Sequence, residues 1–569
     1  MSAPAPLAHR EGAALAAIAL LGLAVHGWFA LGTDALDTDR SIVLLMARHF
    51  ARGDLSLYFW QQNYMGALEP LLLTPLAMAG WATPVAAAVV GVLLTAALAW
   101  LSVALARRLG GLGWLALLFW AIPPAVVAHH HVALYGARLT ATVLVFAALL
   151  LVLRTDHART DRALTDRACF AAGALVGIAY FGDHLMIAWG IGVMWIAARR
   201  GGLGRFALGA LAPVALDTVA AVLTPAIHLA GPNDPSGWLA NVPLLFGATL
   251  PQLFGLLLGR APGPLFEPAT SLVPTGRLWL LCALPGLAAL LALATTLARR
   301  WRRLHQDGTD ERALALEALL LVLAAALGLF ALVGGGGDRW PVRYLVPLWP
   351  AVSVLAAVAA AQWRPRVRGV AALALLPAAF TLAADRSWPR AGDVPAARAE
   401  AAAVRDALAS VGRVDAVWAD YWDAYRMALR LGEDPPWVTL RIIQRLPAQA
   451  EAAEAGGPVA YLLRKGDREV ADSLARADRN GTSRVRSVVD VGRYSLIVVD
   501  RSVPGLVLIT SDPTRAWQRL AAAAAGLLFA GALVAIALLE RVWKRAGGAP
   551  LTSDSRAAPA ASRSTVRSP

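Results

Sequence analysis

The sequence predicts a mainly α-helical, polytopic membrane protein, with a transmembrane bundle of about 11–13 spans and a small extracytoplasmic α/β domain. Of the 569 residues, 58% are hydrophobic and 16% are charged. Soluble domains contain roughly 45–50% apolar and about 25% charged residues. Long apolar runs divide the chain, and each is close to the ~20 residues that a helix needs to cross a bilayer. A water-soluble protein is therefore excluded.

About twelve apolar segments are candidate spans. The second is short and is followed by Gly80 and Pro84, so we expect it to be re-entrant or broken. The sixth is long enough for two short spans with a break near Asp183. The segments are 13–31, 67–80, 83–106, 112–128, 139–153, 169–198, 203–229, 278–298, 313–333, 343–361, 369–384 and 516–540.

Arginines are concentrated in every second loop, which the positive-inside rule assigns to the cytoplasm. We therefore expect a multi-pass protein of the plasma membrane with both termini in the cytoplasm; in a bacterium this is the inner membrane of the cell envelope. Most of the net charge of +14 is explained in this way, and nucleic acid is not an expected partner. The basic groups are Arg107–Arg108, Arg154–Arg167, Arg199–Arg200, Arg299–Arg303, Arg364–Arg368 and Arg541–Arg545.

The predicted domain organisation follows from these spans. Residues 1–384 form a transmembrane module with a first outer loop at 32–66, and residues 385–514 form the extracytoplasmic domain. A C-terminal transmembrane helix at 515–541 and a disordered cytoplasmic tail at 542–569 complete the chain. Within the extracytoplasmic domain the pattern predicts a helix at 395–411 and strands at 414–418, 458–462, 484–490 and 495–500.

The first outer loop carries the acidic residue of most interest, Asp39. Apolar residues recur at three- and four-residue spacing from Ile42 to Phe50, which predicts an amphipathic helix over 41–52 on the membrane surface. Asp39 stands at its start, where a carboxylate can cap backbone N–H groups. A capping role and a catalytic role are both compatible with this position.

Other polar residues interrupt apolar segments. A carboxylate there is costly and usually faces a cavity, so Glu69, the pair Asp183–His184 and Asp217 are either helix-terminal partners or site residues. We expect His129–His131 to lie in a solvated loop rather than to bind a metal, because no acidic residue accompanies them. No cofactor or metal is expected, since Asp37 and Asp39 lack a second acidic pair; a divalent cation is possible but not favoured.

Two further segments supply cations and aromatic rings. After Gly334–Gly337, Arg339 and Arg343 precede a span, where Arg343 can bind a phosphate in a bidentate manner or extend to lipid headgroups. The segment Trp418–Arg426 is either a strand-to-helix junction or a surface for a sugar or lipid headgroup.

Short motifs in this order resemble the GT-C glycosyltransferases, the polytopic enzymes that use lipid-phosphate sugars and include protein O-mannosyltransferases and lipid A aminoarabinose transferases. The resemblance covers about residues 10 to 540, and Arg40 stands where the family usually has Glu. The matching segments are Asp39–His49, Tyr64–Glu69, Arg343–Pro347 and Tyr421–Arg426.

The resemblance implies an inverting transfer of a sugar from a polyprenyl-phosphate donor to a glycan, lipid or protein acceptor outside the cytoplasm, with Asp39 as general base. Arg343, Arg138 and Arg339 are expected to bind the donor phosphate. The expected substrate-binding residues are Glu69, Tyr64, Asp183, His184, Tyr344 and Tyr421. The alternative is a membrane transporter or a lipid-linked glycan flippase without transferase chemistry, although no internal repeat is evident.

Overall fold

A computed structural model describes residues 5–33, 38–60, 62, 65–154, 162–223, 241–259, 271–272, 277–306, 311–333, 341–384, 393–440 and 447–503. The predicted C-terminal span and tail, at 515–541 and 542–569, lie outside the described residues. Tyr64 and Arg339, two of the predicted site residues, also lie outside them.

Helices dominate the chain before residue 385. Short 3₁₀ segments occur at His184–Met186, Pro341–Tyr344, Val346–Leu348 and Pro365–Leu375, and two-residue strands β1 (Leu258–Gly259) and β2 (Ser271–Leu272) pair antiparallel. The helices are α1 (Ala5–Thr33), α2 (Thr38–Ala51), α3 (Leu68–Met78), α4 (Pro84–Arg108), α5 (Gly113–Ala121), α6 (Ala125–Val132), α7 (Arg138–Arg154), α8 (Arg162–Gly182), α9 (Ile187–Arg199), α10 (Leu203–Leu223), α11 (Leu250–Leu253), α12 (Arg277–Gln306), α13 (Glu311–Val333), α14 (Trp349–Ala360) and α15 (Leu376–Ala384).

Eight segments among the described residues are long and apolar enough to cross a membrane. The pair α5 and α6 passes the same test together, and α3, α7 and the segment His184–Arg199 are shorter apolar helices. The expected break near Asp183 is confirmed, because α8 ends at Gly182 and α9 begins at Ile187. The predicted segment 67–80 is the short helix α3, which contains Pro75.

The segment 112–128, predicted as one span, is instead two helices bent by 88°. Pro123 and Pro124 lie at the bend, where proline cannot donate a backbone hydrogen bond and restricts the residue before it. As a result α6 leaves the direction of α5, and its histidines are buried rather than in a solvated loop.

Helices α8 and α10 pack closely because glycines remove side chains from their contact. A Cβ atom on Gly173 would lie 2.0 Å from the carbonyl oxygen of Phe206, and one on Gly209 would lie 2.0 Å from that of Phe170. In a bilayer, where apolar burial between helices gains little, such backbone proximity is a main source of helix association.

The two ends of the bundle differ in composition. One end, here called the arginine-rich end, gathers Arg108, Arg200 and Arg300 around the last carbonyl groups of α4 and α7 and the first residue of α13. The other end carries α2 and the domain that follows α15. The arginines thus share one end of the bundle, as the alternation of basic loops predicts.

The domain after α15, here called the sheet domain (393–503), contains a five-stranded mixed sheet in the order β4-β3-β5-β7-β6. β3 runs parallel to β4 and β5, whereas β7 is antiparallel to β5 and β6. The four expected strands and the expected helix are present, and β4 is an additional strand. The elements are α16 (Asp393–Val411), β3 (Ala416–Ala419), α17 (Tyr421–Leu431), β4 (Trp437–Thr439), α18 (Pro447–Ala455), β5 (Val459–Arg464), α19 (Arg468–Arg479), β6 (Val485–Val491) and β7 (Tyr494–Val499).

A buried ionic network fixes α17 to the sheet. Asp423 accepts hydrogen bonds from Arg464 at 2.6 Å, Arg426 at 2.8 Å and Tyr494 at 2.8 Å. Burial alone would raise the pKa of Asp423, but the hydrogen bond and charge of Arg464 and the charge of Arg426 hold it below its ordinary value. Because a buried charge is tolerated only when it is paired and hydrogen-bonded, this network determines how α17 lies on the sheet.

The predicted amphipathic helix is present as α2, and it lies between the bundle and the sheet domain. Ten of its fourteen residues are buried. Near its C-terminus, His49 Nε2 lies 2.8 Å from Glu433 in the loop after α17, and His49 Nδ1 lies 2.6 Å from Asp54, which follows α2. The polar face of the helix is therefore covered by protein as well as the apolar face, and the sheet domain is attached through it.

We expect Gly173→Ala to lower the free energy of unfolding by about 1–3 kcal/mol, because the new methyl group would force α8 away from α10. Thermal unfolding of the full-length protein in detergent measures this effect. The matched control is Gly328→Ala in α13, where a Cβ atom would meet nothing within 4 Å. Alanine favours helix over glycine by roughly 1 kcal/mol, so the control should be neutral or slightly stabilised. Equal effects at both positions would contradict the packing argument.

The contact between His49 and Glu433 predicts a loss of stability at alkaline pH. The hydrogen bond that the His49 ring donates to Glu433, supported by the one to Asp54, raises the pKa of His49 above 6.5, despite partial burial and the charge of Arg52. Its stabilisation is therefore complete below pH 6.5 and is lost as the pH rises through the raised pKa. Burial would raise the pKa of Glu433, but His49 and Arg52 lower it below 4.5, so its contribution is lost only as the pH falls through that lowered pKa.

The unfolding temperature should accordingly decrease between about pH 6 and about pH 9 by more in the wild type than in His49→Gln. Glu433→Gln should remove the same part of the pH dependence. Glu451→Gln, at an exposed position of the sheet domain, serves as the control and should behave as the wild type does. An unchanged pH profile in His49→Gln would show that this contact does not stabilise the docked domain.

Candidate functional site

Asp39 lies in the first turn of α2 and contacts the sheet domain directly. Its Oδ1 accepts a hydrogen bond of 2.7 Å from the hydroxyl group of Tyr421, the first residue of α17. Beside it, the hydroxyl of Thr38 donates to the carbonyl oxygen of Trp422 at 2.7 Å. The structure thus brings together two predicted site residues that are 382 positions apart. Since α2 begins at Thr38, Asp39 is inside the helix and is not simply its N-cap.

Arg40, which stands where the resemblance predicts Glu, is fully buried and has a structural role. Its Nη1 donates to the carbonyl oxygen of Ala30 near the end of α1, and its Nη2 donates to that of Pro84 at 2.5 Å. The guanidinium group therefore satisfies backbone acceptors at the ends of two membrane helices. Its side chain is directed away from the solvent, whereas Asp39 keeps partial exposure.

A buried ion pair joins the start of α7 to the end of α8. Arg138 Nε donates to Asp183 Oδ2 at 2.7 Å, and both side chains are at least nine-tenths buried. The other oxygen of Asp183 accepts the N–H of Leu185 at 3.0 Å, which caps the 3₁₀ turn between α8 and α9. A β-bridge between Asp183 and Met65 attaches the first outer loop to the same point.

Two guanidinium groups lie against the ring of Tyr344. The Cζ atom of Arg138 lies 5.5 Å from the ring centroid, and that of Arg343 lies 5.1 Å from it. The Nη2 of Arg343 also donates to the Tyr344 hydroxyl at 3.2 Å. The two cations are close enough to influence each other electrostatically, and both act on His130. Four of the predicted site residues therefore form one group, here called the arginine cluster: Arg138, Arg343, Tyr344 and Asp183.

Glu69 is buried at the start of α3 and faces the N-terminus of α7. Its Oε1 accepts backbone N–H groups of Leu139 at 3.1 Å and Thr140 at 3.4 Å, where the helix dipole favours a negative charge. Its Oε2 is buried and makes no hydrogen bond among the described residues. Gly136 makes this approach possible, because its φ of +95° is favoured by glycine and a Cβ atom would lie 2.9 Å from Met65 Sδ.

His184 is paired with Asp217, a contact that the sequence does not indicate. Its Nε2 lies 3.0 Å from Asp217 Oδ2, and its ring stacks on Tyr180 with centroids 4.6 Å apart. The hydroxyl of Tyr58 donates to Asp217 at 2.8 Å, so the first outer loop is held here too. Asp183 and His184 are neighbours in sequence but serve different partners, Arg138 and Asp217.

The three histidines of α6, His129–His131, are buried, which corrects the expectation that they lie in a solvated loop. His129 accepts from or donates to the Tyr135 hydroxyl at 3.1 Å, and His130 contacts the Tyr135 ring with centroids 5.4 Å apart. Arg40 acts electrostatically on His129, as Arg343 does on His130. Helix α6 therefore lies between the surroundings of Asp39 and the arginine cluster.

The described residues thus provide carboxylates, guanidinium groups and aromatic rings at the end of the bundle that carries the sheet domain. No group of three or more His, Cys, Asp or Glu side chains within these residues has a geometry that could hold a metal ion. Guanidinium groups match the geometry and charge of a phosphate, and carboxylates can accept a proton or a hydroxyl hydrogen bond.

Comparisons with known proteins bear on the fold. No family model matches the sequence, and no curated protein sequence matches it. Among solved structures, the chain is similar to ArnT from Cupriavidus metallidurans bound to undecaprenyl phosphate, with a TM-score of 0.51 and 15% identity over 87% of this chain and 98% of that chain. The apo state of that protein gives a TM-score of 0.52 and 14% identity over 88% and 99%.

An oligosaccharyltransferase from Archaeoglobus fulgidus also matches, with a TM-score of 0.47 and 13% identity over 79% of this chain and 68% of that chain. The conclusion rests on the ArnT structures, which this chain matches along almost their whole length. At this identity the similarity concerns the architecture, and it confirms the fold expected from the sequence motifs. The chain has the fold of the polytopic GT-C glycosyltransferases.

Proposed function

We propose that this protein is a membrane glycosyltransferase that moves a sugar from a polyprenyl-phosphate donor to an acceptor on the extracytoplasmic side. The observation that carries the proposal is the pair of guanidinium groups, Arg138 and Arg343, held against Tyr344 at the same end of the bundle as Asp39. The structure of ArnT bound to undecaprenyl phosphate, which has a related fold, supports a lipid-phosphate donor.

In this proposal the arginine cluster binds the donor phosphate. Arg138 is fixed by Asp183, and Arg343 is oriented by the Tyr344 ring, so both cations are placed before the donor arrives. Preorganised cations stabilise negative charge that develops in the transition state without further rearrangement. Arg339, outside the described residues, is a third candidate for the same phosphate.

Asp39 is the proposed general base. It takes the proton from an acceptor hydroxyl as that oxygen attacks the anomeric carbon, while the bond from this carbon to the phosphate oxygen breaks. The polyprenyl phosphate leaves with the electron pair of that bond, and its charge is offset by the arginines. A single displacement of this kind inverts the anomeric carbon. The Tyr421 hydroxyl holds the carboxylate in position through its hydrogen bond.

Glu69, Tyr64, Asp183, His184 and Tyr344 are proposed to contact the substrates. For Glu69 the support is the Oε2 atom, which makes no hydrogen bond among the described residues and so retains an acceptor for a substrate hydroxyl. For His184 the support is its partly exposed side chain, which the contact with Asp217 orients. Asp183 contributes mainly by positioning Arg138.

Asp39→Asn should lower the transfer rate by about 10²- to 10⁴-fold, the usual contribution of a positioned base, while the protein remains folded. The measurement is transfer of radiolabelled sugar from a panel of polyprenyl-phosphate sugars to membrane extracts. Asp406→Asn, at an exposed position of the sheet domain, is the matched control and should keep full activity. A fully active Asp39→Asn variant would exclude Asp39 as the base. Lipid translocation by the wild type without any sugar transfer would instead identify a flippase.

Arg343→Gln should lower kcat/KM for the lipid-phosphate donor by about 10- to 100-fold, because hydrogen bonds to charged groups contribute roughly 1.5–3 kcal/mol. Arg343→Lys should restore only part of the activity, since ammonium cannot bind a phosphate in a bidentate manner. Steady-state kinetics with varied donor concentration measure both effects. The control is Arg398→Gln, an exposed arginine of α16. Unchanged donor kinetics in Arg343→Gln would remove this residue from the phosphate site.

A further inference from the structure

Asp217 is an acidic residue within a membrane helix, next to the candidate site. It belongs to α10, whose residues Leu203–Ala221 are long and apolar enough to cross a membrane. Its side chain is only 3% exposed. A carboxylate in such a position is costly unless it is paired, and it usually marks a functional site. The groups that contact Asp217 therefore indicate what it does.

Two side chains hold the Asp217 carboxylate. The hydroxyl of the buried Tyr58 lies 2.8 Å from Oδ1 and 2.6 Å from the backbone carbonyl oxygen of the same residue. The Nε2 atom of His184 lies 3.0 Å from Oδ2 and 3.2 Å from Oδ1. An ionised carboxylate can only accept hydrogen bonds, so the hydrogen atom on Nε2 is directed at Asp217. The first outer loop, the turn between α8 and α9, and α10 meet at this carboxylate.

The ring of His184 is held in a fixed orientation, with one nitrogen left for a ligand. Tyr180 stacks on the ring at an interplanar angle of 14°, and the backbone belongs to the 3₁₀ turn that Asp183 caps. The Nδ1 atom makes no hydrogen bond among the described residues, and the side chain is 29% exposed. The contact with Asp217 thus occupies Nε2 and leaves Nδ1 able to bind a further group.

The position of His184 in the chain indicates which part of a substrate it meets. The preceding residue, Asp183, holds Arg138, which the proposed function assigns to the donor phosphate. The sugar of such a donor is bonded directly to that phosphate. Sugars present hydroxyl groups, which both donate and accept hydrogen bonds, so a hydroxyl can bind an imidazole nitrogen in either protonation state.

We infer that Asp217 and Tyr58 are positioning residues, which hold the His184 ring so that Nδ1 binds a hydroxyl group of the transferred sugar. The inference rests on the proposed function, because it needs a sugar donor at the arginine cluster. The alternative is a structural role, since the same contacts join the first outer loop to α10. A positioning carboxylate acts on the substrate only through His184, whereas a structural contact acts independently of it.

The test is a double-mutant cycle on the donor kinetics of the full-length protein, with the polyprenyl-phosphate sugar that the wild type transfers. His184→Ala should raise KM for this donor about fivefold with little change in kcat, because a hydrogen bond made equally in the ground state and the transition state affects KM alone. Asp217→Asn should raise KM by a similar factor. The double variant should have the KM of His184→Ala, since residues that act through one another are not additive.

The matched control is Asp166→Asn, which should keep the wild-type KM. Asp166 of α8 pairs with Arg205 of α10 at 3.4 Å, near the start of the same two helices that carry the contacts of Asp217 near their ends. Additive increases in KM, or an unchanged KM in His184→Ala, would overturn the inference and leave the proposed function intact. If the wild type transfers no sugar from any donor, the proposed function fails and the inference fails with it.

A second variant keeps the inference testable if Asp217→Asn does not fold. Tyr58→Phe removes only the hydroxyl group that contacts the Asp217 carboxylate. It should raise KM for the donor by less than His184→Ala does, and this increase should disappear when His184→Ala is also present. An increase that persists in the double variant would show a structural contact and would overturn the inference.

Discussion

The ion pair between Arg138 and Asp183 is the interaction on which the candidate site depends. It connects the start of α7 to the end of α8, and the β-bridge from Asp183 to Met65 adds the first outer loop. Through the ring of Tyr344 it also reaches the 3₁₀ segment before α14. A buried pair of this kind gains little net stability over an apolar contact, but loss of one partner leaves an uncompensated charge. The pair therefore contributes mainly by holding four segments in position: α7, α8, the first outer loop and the 3₁₀ segment Pro341–Tyr344.

At the opposite end of the bundle, arginines also join separate segments of the chain. Where membrane helices end, their last carbonyl groups have no partner within the helix. Arg108, Arg200 and Arg300 supply the missing donors from neighbouring helices. The arginines from which the topology is predicted thus also donate hydrogen bonds to carbonyl groups at the helix ends. Both the membrane orientation and these hydrogen bonds favour arginine in the same loops.

The sequence predicts those features that depend on local patterns. The break near Asp183 follows from two polar residues between apolar runs, and the strands of the sheet domain follow from short apolar segments with turns between them. The contacts of Asp217 with Tyr58 and His184 are not predictable in this way, because nothing in the sequence relates these positions, which lie 159 and 33 residues from Asp217. The burial of the α6 histidines is not predictable for a similar reason, because the helices that cover them after the bend at Pro123 and Pro124 are distant in sequence.

Arg40 joins the end of α1 to the start of α4, because one guanidinium group donates to the carbonyl oxygens of both Ala30 and Pro84. A carboxylate at this position would bring negative charge against these two oxygens and would offer them no donor. The buried contact between the two membrane helices therefore requires a cation, and the neighbouring Asp39 is the acidic side chain in the first turn of α2. One turn of helix thus divides two functions, with the cation facing the bundle and the anion facing the sheet domain.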